Sequence, residues 1–143
     1  MGAFTGTIQV EAIGGGRWRL LAPLTYTRSG GTVITVPVGF VTDFASIPRA
    51  LWWLYPPHGD TYGAGAVIHD FMYATQRWRD ETEFSRQYAD QTFLEAMRDL
   101  GAWWLRRTLM YSGVRTGAWL AWNGHAARRE GETYDQTILR LTA

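Results

Sequence analysis

The apolar residues of this chain change period once, and that change restricts it to a fold with strands first and helices after. Before Pro37 they recur at every second position. Phe4, Ile8 and Val10 alternate with Thr5, Thr7, Gln9 and Glu11, and Trp18 and Leu20 alternate with Arg17 and Arg19. A period of two sets one face of a strand on a core and the other in water. Gly14-Gly15-Gly16 and Ser29-Gly30-Gly31 mark turns, the second between Leu24-Thr25-Tyr26 and the β-branched run from Thr32 to Val36. Pro37 closes the last strand, because it brings no N–H to a ladder. The expected unit is a small antiparallel β-meander over about 4–40.

Beyond Pro37 the spacing becomes helical. Ser46 is an N-cap candidate, with Pro48 early in a short helix to Leu54. A second helix is expected from near Tyr62 to about Thr75, with Val67, Ile68, Phe71 and Met72 as its apolar stripe. A third should begin near Asp80 or Thr82, bury Ala89, Phe93, Ala96, Met97 and Leu100, and stop at Gly101. A fourth covers about 103–123, its tryptophans read as core. Residues 124–143 form a polar tail. The fold class is therefore α+β: a meander followed by a bundle of three to four helices (46–123) in a single domain, 1–143.

Composition removes several functions. There is no Cys, which excludes disulfides and thiol catalysis. The net charge is +1, so no broad nucleic-acid footprint is expected. No apolar run is long enough for a membrane span, the longest being interrupted by Arg115, and the first residues do not read as a signal peptide. Trp52 and Trp53, followed by Leu54, Tyr55 and two prolines, form an aromatic knob. It suits packing on the meander, contact with another subunit, or contact with a lipid interface.

The residues able to do chemistry sit on two helices. His69 and Tyr73 are one turn apart on the same helix face, and Asp90 lies at the edge of the next helix's apolar face. If the two helices are antiparallel, Asp90 reaches His69, sets the ring's tautomer, and lets His69 take a proton from water; Tyr73 can donate to Asp90. Alternatively, Asp90 pairs with Arg86 one turn earlier. Asp70 points about 100° away from His69 around the helix and is free to bind a metal. Asp43, between a strand end and a helix, either caps exposed N–H groups or joins Asp70 as a second ligand. That oxygen set would suit calcium or magnesium, whereas His69 or His58 in the set would suit zinc.

His69-Asp70-x-x-Tyr73 followed by Ala89-Asp90-x-x-Phe93 resembles the catalytic helices of phospholipases A2. The resemblance implies that His69 is the water-activating base, Asp70 a calcium-binding carboxylate, Tyr73 a supporting tyrosine and Asp90 the carboxylate that orients His69. Those enzymes also carry a glycine-rich calcium loop before the helix; here that stretch reads Arg49-Ala50-Leu51-Trp52-Trp53. Over about residues 24–120, the succession of Gly39-Phe40-x-Thr42-Asp43-x-Ala45-Ser46-Ile47-Pro48, His69-Asp70-x-x-Tyr73 and Ala89-Asp90-x-x-Phe93 resembles an uncharacterised family of phage and prophage proteins. Two functions follow. One is a phage-encoded His–Asp hydrolase of a lipid or other ester. The other is a non-catalytic tail, neck or capsid-associated component with other virion proteins as partners. Either would place the chain in a virion or in the host cytoplasm.

Overall fold

The structure, a computed structural model, describes residues 1–44 and 63–143. The expected helix over 46–54, the Trp52–Trp53 knob, His58 and the start of the next helix near Tyr62 lie outside the described residues. Within them the chain is α+β, as its periodicity requires. Strands β1 (Ala3–Thr5), β2 (Val10–Gly14), β3 (Arg17–Leu20), β4 (Leu24–Thr27), β5 (Val33–Val36) and β6 (Val41–Thr42) precede five helices. These are α1 (Gly63–Thr75), α2 (Arg86–Asp99), α3 (Trp104–Gly117), α4 (Trp119–Arg128) and α5 (Tyr134–Leu141).

The strands divide into two three-stranded antiparallel sheets, in the orders β1-β4-β5 and β2-β3-β6. A continuous meander would have paired β3 with β4. Two breaks divide the strands. Gly6 takes φ +86° and separates β1 from β2, and Pro23, just before β4, supplies no N–H. Backbone bonds from Leu20 N to Phe40 O and from Gly39 N to Leu20 O then fasten the end of β3 to the turn before β6.

Helix α1 is the centre of the molecule. All its residues except Ala64 and Asp70 are buried, as expected of a helix covered on every side. It packs on α2, α4, α5, β5 and β6. Helix α2 starts later than its apolar pattern implies. The bridge between Arg77 and Glu83, with Glu81 at φ 71°, occupies the stretch before it, and Ser85 caps the helix by accepting from Tyr88 N. Its end is the one expected: Gly101 takes φ +84°, its N–H bonds Arg98 O, and Ala102 N bonds Met97 O, a Schellman closure. Ala89, Phe93, Ala96 and Met97 are fully buried, while Leu100 is half-buried.

The expected helix over 103–123 is broken at Ala118 into α3 and α4. Its tryptophans are not all core. Trp103, Trp104 and Trp119 are exposed, and only Trp122 packs inward, edge-on to Tyr73. α3 meets the core through Met110 and Val114, which leaves the tryptophans on other faces. The polar tail contains α5, started by a capping box in which Thr133 and Gln136 satisfy each other's backbone N–H. Ile138 and Leu141 anchor it on the core, whereas Leu139 is exposed.

Candidate functional site

Helices α1 and α2 run antiparallel. Gly65 lies against Phe93 and Ala96, His69 against Phe93 and Asp90, and Tyr73 against Asp90, so rising numbers on one helix meet falling numbers on the other. His69, Tyr73 and Asp90 are thereby brought together in the core.

Asp90 is fully buried, and His69 is 3% exposed. His69 Nε2 lies 2.7 Å from Asp90 Oδ1, and the Tyr73 hydroxyl donates to the same oxygen at 2.7 Å. Arg115 Nη1 donates to Oδ2 at 2.8 Å, and Arg86 Nη1 stands 3.5 Å from it. Arg86 also donates to Val114 O and Arg115 O, so it ties the C-terminal turn of α3 to α2. The His69 ring sits 4.2 Å from the Tyr73 ring and 4.8 Å from that of Phe93, centre to centre.

These contacts set the protonation states. Burial raises the Asp90 pKa, but the donors His69, Tyr73 and Arg115 outweigh it and hold the carboxyl below its ordinary value. Burial also dominates at His69 and lowers its pKa, with the bond to Asp90 opposing only in part. Burial and the bond to Asp90 raise the pKa of Tyr73. At neutral pH the cluster is thus a carboxylate, a neutral imidazole and a neutral phenol. The carboxylate takes the Nε2 proton as a hydrogen bond, so the ring's lone pair resides on Nδ1.

Asp70 turns the other way. Its carboxylate accepts the hydroxyl of Thr42 in β6, and that hydroxyl also accepts from Phe44 N at 3.1 Å. Phe44 holds φ 54°, a left-handed conformation away from glycine. The charge of Asp43 acts on both His69 and His125. Among the described residues, no three His, Cys, Asp or Glu side chains gather as a metal-binding group.

Sequence reasoning named Arg86 as a partner of Asp90 and missed Arg115. Arg115 is the only charged residue in the stretch from Leu109 to Trp122, and Arg86 lies one turn before Asp90. A solitary cation in an apolar stretch is a signal for a buried carboxylate, but the partner could not be named without the α2–α3 packing.

Neither a curated protein nor a solved structure matches the chain. Residues 18–114 match the family described as Protein of unknown function (DUF1353). That span runs from β3 to the last turn of α3 and holds Asp43, Asp70 and the whole His69–Tyr73–Asp90 contact. With well over half of its length matched, the chain belongs to the DUF1353 family.

Proposed function

We propose that this protein is a phage-encoded His–Asp hydrolase, phospholipase A2-like in its two central helices, that cleaves a lipid or other ester. The observation behind the reading is the 2.7 Å contact between His69 Nε2 and Asp90 Oδ1 inside an apolar shell. It leaves Nδ1 as a base whose lowered pKa keeps it unprotonated at neutral pH. Water gives a proton to Nδ1 as its oxygen bonds to the ester carbonyl carbon. The tetrahedral intermediate collapses, the C–O bond to the alcohol breaks, and His69 returns the proton to the departing alkoxide. Asp90 stabilises the transient imidazolium, and Tyr73 holds Asp90 in place.

In the same reading Asp70 and Asp43 would hold calcium as hard oxygen ligands, and the ion would stabilise the oxyanion. Asp70 already accepts the Thr42 hydroxyl, and among the described residues no three His, Cys, Asp or Glu side chains gather around it.

A second reading has its own support. The Asp90 carboxylate is engaged by two uncharged donors and by Arg115, with Arg86 close by, which suits a purely structural clasp between α1, α2 and α3. The protein would then be a non-catalytic virion or assembly component. His69→Ala separates the two. In an enzyme, turnover of phospholipid vesicles or a soluble ester should fall by about 10²-fold or more. In a clasp, no hydrolysis is measurable in the wild type, and the variant loses about 1–3 kcal/mol of stability. An inactive wild type with a clearly destabilised variant would end the hydrolase reading.

A further inference from the structure

Helix α3 carries a solvent face without a single charge. Its exposed positions recur at i, i+1, i+4 and i+5, so they form one stripe along the helix. The first half of the stripe is large and apolar: Trp104 is 56% exposed and Leu109 48%. The second half ends in Gly113 and Gly117, beside which an added Cβ would meet nothing within 4 Å. Beyond the break at Ala118, Trp119 and Leu120 continue the apolar surface at 50% and 64% exposure. Apolar surface of this kind on one helix pair marks a contact site.

Charge identifies what it contacts. None of the thirteen acidic residues lies within 100–129, whereas five of the fourteen arginines do. Arg115 and Arg129 are engaged by Asp90 and Glu83, whereas among the described residues Arg107 and Arg128 reach only a backbone carbonyl and a histidine ring. A second copy placed face to face would set arginine against arginine with no carboxylate in the segment to answer it. An anionic bilayer surface answers both features. Tryptophan and leucine enter the headgroup boundary, and arginines meet the lipid phosphates. No helix among the described residues is long and apolar enough to cross a membrane, so the contact lies along the surface.

We propose that the α3–α4 face, led by Trp104, Leu109, Trp119 and Leu120, seats the protein on an anionic lipid surface. This does not depend on whether His69 is catalytic.

The test is sedimentation of the full chain with vesicles of ether-linked phosphatidylglycerol or ether-linked phosphatidylcholine, lipids with no acyl ester to hydrolyse. Binding should favour phosphatidylglycerol by about tenfold or more and weaken as salt rises. Trp104→Ser combined with Leu120→Ser should weaken it about tenfold or more. Arg107→Gln with Arg128→Gln should reduce the salt dependence, and Val33→Ser, an exposed apolar residue on β5, should change nothing. Circular dichroism verifies that each variant is folded. Three outcomes overturn the proposal: no binding to either vesicle, equal binding to both, or a dimer that Trp104→Ser dissociates. The last would assign the face to a second copy.

Discussion

The α1–α2 pair and the α3–α4 pair use opposite means. The first buries polar groups and satisfies them: one carboxylate receives His69, Tyr73 and Arg115 in a space with almost no solvent. The second leaves apolar groups in water, and α4 has no buried residue at all. Both arrangements are costly to a lone folded chain. The difference teaches that cost alone does not locate function. In the interior a polar cluster stabilises once every member is paired, whereas an uncovered apolar face remains unfavourable until a partner covers it.

The largest expected effect comes from removing the shared acceptor. Asp90→Ala leaves two arginines, a histidine and a tyrosine facing a cavity, and should cost about 3–5 kcal/mol in urea denaturation. A cost below about 1 kcal/mol would mean that the cluster is not the anchor of the helix pair.

Acid should act next. The folded-state pKa of His69 lies below its ordinary value, so below about pH 6.5 the unfolded chain binds a proton that the folded chain refuses. His125 on α4 adds to this, its pKa pushed down to about 4 by burial and by Arg128 and Arg140. Stability should therefore decline as pH falls from about 6.5. A second decline follows below about pH 4, where the unfolded chain's aspartate protonates before Asp90 does. In denaturation midpoints followed against pH, His69→Gln should flatten the first decline and leave the part that His125 contributes. Stability that rises on acidification through pH 6 would instead mean a protonated His69 paired with Asp90.

The smallest effect compares one glycine from each pair. Gly113 faces open space, so Gly113→Ala should raise stability by about 1 kcal/mol through helix propensity. At Gly65 the new Cβ would stand 3.4 Å from Ala96 Cβ and from the Phe93 ring, so Gly65→Ala should gain less or lose stability. Equal gains in thermal melts would show that α1 and α2 are not in close contact there.

Much of the interior could be read directly. The stripe of α1, the buried face of α2 and the stop at Gly101 all follow from residue spacing and one backbone conformation. The meeting of His69 with Asp90 was legible for antiparallel helices, because Asp90 lies at the edge of the apolar face of α2. The tryptophans of α3 and α4 were not. Trp103, Trp104 and Trp119 look like core by residue type, but the buried residues of α3 are Met110 and Val114, on another side of the helix. Helix α5 was missed because its capping box sits in a polar stretch with few apolar residues to announce it.

The sequence by itself determined the α+β order and the apolar faces of α1 and α2, and it offered the pairing of imidazole with carboxylate as one of two partners for Asp90. These depend on periodicity and on contacts between neighbouring elements. The tertiary structure alone decided that Arg115 would close the far side of Asp90, that the strands would part into two sheets, and that α3 would present an uncharged face to solvent. Each of these depends on how elements distant in the chain are oriented. Such orientation is set by the summed packing of the whole core, which no local pattern encodes.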